Sequence, residues 1–239
     1  MIITSQGIVL NTVRYSDSSV IAKIYTEASG LRSFMVRTGK GKSASLTMSL
    51  LQPLTLVSLS FDKDRKGLRT PRSFERSIIL KAISFNTLKT CVALFMAEVV
   101  MRAIGEEETN TKLFSFLSNS IILLDEETNS VNNFHLKFMI EFSSYLGFQP
   151  DKNWDNQLFF DLVEGVFTNT EAIHPYVVQN ETLAFFHQLI EVPFSQHYQP
   201  KPNGTSRKQM LQHLIDYYRL HLEGMKEITS HKVLEEVMA

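Results

Sequence analysis

Apolar and polar residues change their spacing near residue 81, and this change divides the chain into two parts. Before it, short runs alternate apolar with polar residues or are rich in β-branched and aromatic residues, which is typical of β-strands. Five such runs are present, at residues 7–10, 20–26, 31–37, 54–61 and 73–80. Five short strands in about 80 residues predict a small, closed or partly closed β-barrel.

After residue 81, apolar residues recur at the spacing of amphipathic helices. The pattern predicts six helices, which start near Phe85, Asn110, Ser130, Asn180, Ser206 and Ser230. The third is expected to end at Gly147, and residues 158–167 between the third and fourth have the texture of a small β-hairpin. The predicted fold class is therefore α+β multidomain, with a five-stranded barrel at residues 1–81 and an α-helical domain at residues 82–239.

The charge of the chain changes at the same place. The formal net charge is −1, but residues 1–81 carry 13 Lys and Arg against 5 Asp and Glu, and the remaining residues carry 11 against 20. Positive charge confined to one small domain indicates a polyanion site, usually for nucleic acid.

The cations of the first part are concentrated on two loops, residues 39–45 and 62–67, and on strand positions that alternate with apolar residues. This alternation predicts that they lie on one side of the sheet. The candidate nucleic-acid-binding residues are Arg14, Lys23, Arg32, Arg37, Lys40, Lys42, Lys63, Arg65, Lys66, Arg69 and Arg72. Four aromatic residues of the same part offer stacking surfaces for bases, although burial in the core is the more frequent role of each: Tyr15, Tyr25, Phe34 and Phe61.

Several classes of protein are disfavoured. One cysteine, Cys91, forms no intramolecular disulfide, and seven scattered histidines show no metal-ligand spacing, so neither a metal nor another cofactor is expected. No nucleophile, base and orienting group form a recognisable set, which disfavours an enzyme. The first residues lack the pattern of a signal peptide and the longest apolar run is too short to span a bilayer, so we expect a cytoplasmic protein.

From the residues alone, three rivals to DNA binding stay open. They are a barrel protein that binds RNA or the ribosome, a helical adaptor whose basic end meets an acidic protein, and an unrecognised phosphodiesterase. A preference for structured RNA would indicate the first, and no binding of nucleic acid at low salt would indicate the second. Metal-dependent cleavage of nucleic acid would indicate the third.

The order of several short motifs resembles that of the bacterial recombination mediator RecO family. These motifs are residues 7–10 (GIVL), 15–18 (YSDS), 25–26 (YT) followed by Gly30, the loop 37–43, residues 51–53 (LQP) and the junction 145–150 (YLGFQP). Each motif alone is degenerate, and their order along most of the chain makes the resemblance specific.

The resemblance implies an N-terminal OB-fold, a helical domain and often a zinc module after the junction. This sequence lacks the four cysteines of that module, so a hairpin without zinc is expected at about residues 151–178. It further implies a non-enzymatic, nucleoid-associated protein that binds single- and double-stranded DNA, anneals complementary strands, and works with RecR and single-stranded DNA-binding protein (SSB) to load the recombinase RecA. The acidic tail of SSB, which ends in Phe, would bind the helical domain near cations such as Arg102, Lys112 and Lys137.

Overall fold

The structure is a computed structural model of the 239-residue chain. It describes residues 1–39, 42–105, 109–128, 130–194, 202 and 204–238, apart from the side chains of residues 42–44 and 204. Contacts divide the chain into two compact units, Met1–Glu126 and Glu127–Ala239. The division by charge at residue 81 stays a prediction.

The first unit contains a five-stranded antiparallel sheet. Its strands are β1 (Ile2–Ser16), β2 (Ser19–Thr26), β3 (Gly30–Arg37), β4 (Leu56–Asp62) and β5 (Ser73–Arg76), in the order β3-β2-β1-β4-β5. All five predicted strands are present. The first is much longer than its apolar run predicted, because its polar positions also pair with β2 and β4.

The sheet closes on itself through the segment between β4 and β5. Met35 on β3 donates its backbone N–H to the carbonyl oxygen of Arg69 at 2.6 Å, and the N–H of Arg69 donates to the carbonyl oxygen of Ser33 at 3.0 Å. This parallel bridge joins the free edge of β3 to the far side of the sheet. The result is the five-stranded OB-fold barrel that the sequence predicted.

Apolar residues that alternate along the strands fill the barrel. The buried cluster consists of Val9, Val20, Ala22, Ile24, Phe34, Val36, Leu51, Val57, Leu59 and Phe61. Gly7 on β1 leaves room for this packing, since a Cβ there would stand 2.8 Å from Ile24 Cγ2 and 3.0 Å from Leu59 Cδ2. The side chains of Ile24 and Leu59 therefore occupy the space that a side chain at residue 7 would need.

The described residues of the first unit also form three helices: α1 (Lys42–Leu50), α2 (Thr87–Ala103) and α3 (Thr111–Glu126). Asn86 caps α2, because its side chain accepts a hydrogen bond from the N–H of Lys89, and Asn110 caps α3 by accepting from Leu113 at 3.0 Å. The prediction of a basic loop at residues 39–45 is wrong for residues 42–45, which belong to α1. A helix begins at Lys42, and residues 42–50 contain no Gly or Pro that would interrupt it.

The connection from β5 to α2 is fixed by Asp125, near the end of α3. Its carboxylate accepts hydrogen bonds from three consecutive backbone N–H groups, those of Lys81, Ala82 and Ile83, at 2.7–2.8 Å. Burial alone would raise the pKa of Asp125, but these donors and the nearby Lys89 outweigh burial and lower it. The acid therefore links two segments that are far apart in sequence.

In the described part of the second unit there are four helices: α4 (Phe134–Leu146), α5 (Asn180–Glu191), α6 (Gly204–His221) and α7 (His231–Met238). Gly147 ends α4 in the left-handed conformation, with φ of 90°, as predicted. Helix α5 begins at Asn180, as predicted, and α6 begins at Gly204, two residues before the predicted start at Ser206. Ser206 therefore lies within the first turn of α6.

A small three-stranded sheet lies between α4 and α5 in the chain. Its strands are β6 (Phe159–Asp161), β7 (Val166–Thr168) and β8 (Val177–Gln179), in the order β7-β6-β8. The predicted hairpin is present, and β8 adds a strand that the pattern did not predict. The Phe160 ring is fully buried, with its centroid 4.9 Å from that of Phe167 and 4.8 Å from that of Phe186. Aromatic packing thus stabilises this sheet.

Candidate nucleic-acid interface

The face of β1, β2 and β3 that points away from the barrel core carries both cations and apolar side chains. Residues opposed across antiparallel strands share a face, and the register gives three rows. The rows are Asn11, Lys23 and Ser33, then Val13, Ile21 and Met35, then Ser16, Ser19 and Arg37. Lys23 and Arg37 therefore stand on either side of an apolar row on one surface, which we call the outer face.

The loop between β4 and β5, residues 63–72, carries a second group of cations. Lys63, Arg65 and Lys66 are exposed and form no ion pair within the described residues. The two acids of this region already have a partner, because the N-terminal ammonium of Met1 lies 3.1 Å from Asp62 and 2.5 Å from Asp64. These contacts raise the pKa of the ammonium and leave the three loop cations available to an external anion.

A cleft of about 300 Å³ separates the outer face from this loop. Arg32 and Arg69 line it, together with Ile21, Leu31, Ser33, Gly67 and Leu68. Arg69 is only 4% exposed, and its guanidinium donates to the carbonyl oxygen of Gly67 at 3.1 Å. Because its backbone also closes the barrel, Arg69 contributes to the shape of the cleft as well as to its charge.

The remaining candidate residues lie apart from this arrangement or outside the described part. Arg14 is exposed at the β1–β2 turn and pairs with Asp17 at 2.9 Å, and Arg72 lies close enough to Asp62 to help lower the pKa of that acid, after larger effects of the N-terminus and Asp64. Lys40 lies outside the described residues. Lys42 begins α1, and its side chain is also outside the described part.

The prediction that the strand cations share one side of the sheet is right for Lys23 and Arg37 and wrong for Arg32 and for Arg14, which stands opposite the buried Val20. Arg32 stands opposite Ile24 on β2, and it alternates in phase with the buried Phe34 and Val36. It remains partly accessible because it lies near the start of β3, where it lines the cleft. The alternation of residues in the sequence did not show which of the two sets of strand positions faces away from the core.

The four aromatic candidates separate clearly in the structure. Tyr25, Phe34 and Phe61 are almost completely buried and belong to the interior of the first unit. Tyr15 is 64% exposed. Among these four, Tyr15 alone offers a ring to an external base.

Possible metal donors do not gather in the described residues. No three His, Cys, Asp or Glu side chains there are arranged so that they could hold a metal ion. In the small sheet, Asp161 accepts from the N–H groups of Val163 and Glu164, and its other oxygen lies 3.3 Å from His174 Nε2. Within the described ranges, no helix combines the length and apolar character needed to cross a bilayer.

The arrangement of the barrel has a known chemical use. OB-folds bind oligonucleotides on the face of their second and third strands and on the loops after the first and fourth strands. Here those elements carry Lys23, Arg37, Arg14 and the cations of the β4–β5 loop. Lys and Arg side chains bind phosphates without reading the base sequence, so this surface suits a nucleic-acid backbone.

Comparison with known proteins agrees with this architecture. Family models described as "Recombination protein O N terminal" and "Recombination protein O C terminal" match residues 1–79 and 85–229. The chain is 32% identical over the full length of both chains to "DNA repair protein RecO" of Flavobacterium psychrophilum. It is 33% identical to the protein of that name in Bacteroides fragilis and 30% identical to that in Phocaeicola vulgatus, over 97% and 98% of each chain. Two family models and full-length relatives therefore place this chain in the recombination protein O (RecO) family.

Proposed function

We propose that this chain is a non-enzymatic mediator of recombinational DNA repair that binds single- and double-stranded DNA through its OB-fold barrel. Membership of the RecO family supports the role in repair. DNA binding is supported by one observation. Lys23 and Arg37 lie on the outer face, and the same barrel also presents the cations of the β4–β5 loop, which form no ion pair within the described residues. Both sets lie where OB-folds bind oligonucleotides.

The proposed mechanism of strand annealing depends on charge neutralisation. Two complementary strands repel each other through their phosphates, and cations that bind those phosphates reduce the repulsion. Because the contacts are made to the backbone, the bases stay free to pair with a second strand. No catalytic group is required, and the protein would then help RecR and SSB to load RecA onto the single strand.

The acidic tail of SSB is the second proposed partner. Lys137 is a poor site for its terminal carboxylate, because its ammonium is buried and donates to the carbonyl oxygen of Pro193 at 2.9 Å. Burial lowers the pKa of Lys137 to about 8, although Glu127 and Glu141 oppose the shift. Arg102 is 3.5 Å from Glu98, and Lys112 is exposed at the start of α3.

A pocket of about 370 Å³ in the second unit has more suitable chemistry for that tail. Leu211, Leu234 and Met238 give it an apolar lining, and Arg207 and Lys208 supply positive charge. Lys208 lies 2.9 Å from Glu235 of the same lining, and Arg207 donates to Asn133, so a terminal carboxylate would have to compete with these partners. An apolar pocket with cations at its edge suits a terminal aromatic residue and its carboxylate. The test is a titration of the full-length chain with an acidic peptide ending in Phe, with the peptide lacking that Phe as control. Equal binding of both peptides, or none at low salt, would remove this partner.

The experiment that tests the main function is a salt series with the full-length chain. We expect binding of labelled single-stranded and duplex DNA that weakens steeply with salt, and faster pairing of complementary strands in the presence of the protein. Tighter binding to structured RNA than to single-stranded DNA would favour the RNA-binding alternative. No binding to either nucleic acid at low salt would favour a protein-interaction adaptor, and metal-dependent cleavage of the probe would indicate a phosphodiesterase.

A further inference from the structure

Tyr15 is the extra residue of a β-bulge at the end of the β1–β2 hairpin. Arg14 pairs with Val20 and Ser16 pairs with Ser19, so no residue of β2 stands opposite Tyr15. A bulge bends its strand and redirects one side chain, and bulges are over-represented beside functional sites. Here the redirected side chain is a large aromatic one that is mostly exposed.

The end of the hairpin is held in place by hydrogen bonds. The hydroxyl groups of Ser16 and Ser19 are 2.6 Å apart across the turn, and the N–H of Thr38 donates to the carbonyl oxygen of Ser18 at 2.9 Å. The second bond ties the turn to the chain just after β3. Tyr15 therefore projects from a braced support, which lowers the entropy lost when a ligand binds.

The surroundings of Tyr15 indicate what kind of ligand fits. Val13, two residues earlier, is 58% exposed and begins the apolar row of the outer face. Arg14 precedes Tyr15 on β1 and is exposed, and Arg37 lies at the same end of the sheet on β3, with β2 between the two strands. The ion pair of Arg14 with Asp17 is fully at the surface, where such pairs are weak, so a phosphate can replace the carboxylate.

An aromatic ring beside cations matches the two parts of a nucleotide, the base and its phosphate. A single strand can present the face of a base to such a ring, whereas bases within a duplex are already stacked on their neighbours. On the basis of the DNA-binding function proposed above, we propose that Tyr15 stacks against an unpaired base of a single strand. Tyr15 then gives the barrel a preference for single-stranded over double-stranded DNA.

The test uses the full-length chain, an oligo(dT) single strand and a duplex of the same length. We expect Tyr15→Ala to weaken binding of the single strand by roughly five- to a hundredfold and to leave duplex binding and the salt slope unchanged. Tyr15→Phe should bind like the unaltered chain, because the ring is kept. Phe85→Ala is the matched control, since Phe85 is an exposed aromatic residue (88%) outside the barrel strands.

A second measurement avoids any effect of substitution on folding. An oligonucleotide carrying 5-iodouracil, irradiated with the unaltered chain, should crosslink to the peptide that contains Tyr15. Crosslinks confined to other peptides, or equal loss of single-strand and duplex binding in Tyr15→Ala, would overturn the inference while DNA binding itself stands. Absence of all DNA binding by the unaltered chain would overturn both the inference and the proposed function.

Discussion

The backbone N–H of Met35 donates a hydrogen bond to the carbonyl oxygen of Arg69 at 2.6 Å. This bond joins the outer strand β3 to the basic loop that follows β4, although the two residues are far apart in sequence. It closes the barrel and sets the loop cations beside the outer face. The fold and the candidate interface thus depend on the same contact.

The cations of the β4–β5 loop should account for part of the salt dependence of DNA binding. We expect replacement of Lys63, Arg65 and Lys66 by Ala to weaken single-stranded DNA binding and to reduce the salt slope by about 2, because each lost phosphate contact removes about 0.7. The matched control replaces Lys152, Lys226 and Lys232, three exposed lysines of the second unit, and removes the same charge. Equal losses in both variants would point to net charge, and an unchanged slope in the loop variant would move the site elsewhere.

Asp125 should contribute measurably to stability. In Asp125→Ala, the N–H groups of Lys81, Ala82 and Ile83 lose their acceptor, so we expect the free energy of unfolding to fall by about 1–3 kcal/mol. Urea unfolding followed by circular dichroism provides the measurement. The adjacent exposed acid gives the control, Glu126→Ala, and a loss no larger than that of the control would show that water replaces the carboxylate.

Gly7 should tolerate no side chain. We expect Gly7→Ala to lower the free energy of unfolding by about 1–3 kcal/mol, because the added methyl group would overlap Ile24 and Leu59. Thermal unfolding of the variant beside Gly105→Ala isolates this effect, since a Cβ at Gly105 meets nothing within 4 Å. A stabilised Gly7→Ala variant would mean that the side chains of Ile24 and Leu59 can shift at little cost.

Stability should fall as the pH decreases below 6.5, in part because of His135. Burial, with a smaller effect of Arg207, lowers the pKa of His135 to about 3. Between pH 6.5 and 3 the unfolded chain therefore binds a proton that the folded chain does not, and this group costs about 1.4 kcal/mol of stability per pH unit. The free energy of unfolding at pH 7 and pH 5 should differ less in His135→Leu than in the unaltered chain. Equal differences would show that His135 takes up its proton without unfolding.

The small sheet should not depend on zinc. We expect elemental analysis to find no stoichiometric zinc, and a chelator to leave the melting temperature unchanged. The only cysteine is Cys91, and Phe160 packs between Phe167 and Phe186 at the centre of the sheet. About one zinc per chain, lost together with stability on chelation, would contradict this expectation.

Local features of the sequence were sufficient for much of the fold. Alternation of apolar residues located the five strands, and the caps at Asn110 and Gly147 were correct because a cap depends on a few neighbouring residues. The order of the short motifs along the chain was sufficient to identify the family. The helix at Lys42 was missed, and α6 begins two residues before the predicted Ser206, because weak local signals for a loop or a helix start were overridden by the rest of the fold.

The sequence by itself determined where positive charge and strands occur, because both follow from neighbouring residue types. The tertiary structure alone decided which side chains face outward. Arg32 falls in phase with the core, whereas Lys23 and Arg37 face away from it, and Tyr15 is exposed at a bulge where no residue of β2 stands opposite it. Register depends on pairing between distant segments, and a shift of one residue reverses every side chain of a strand.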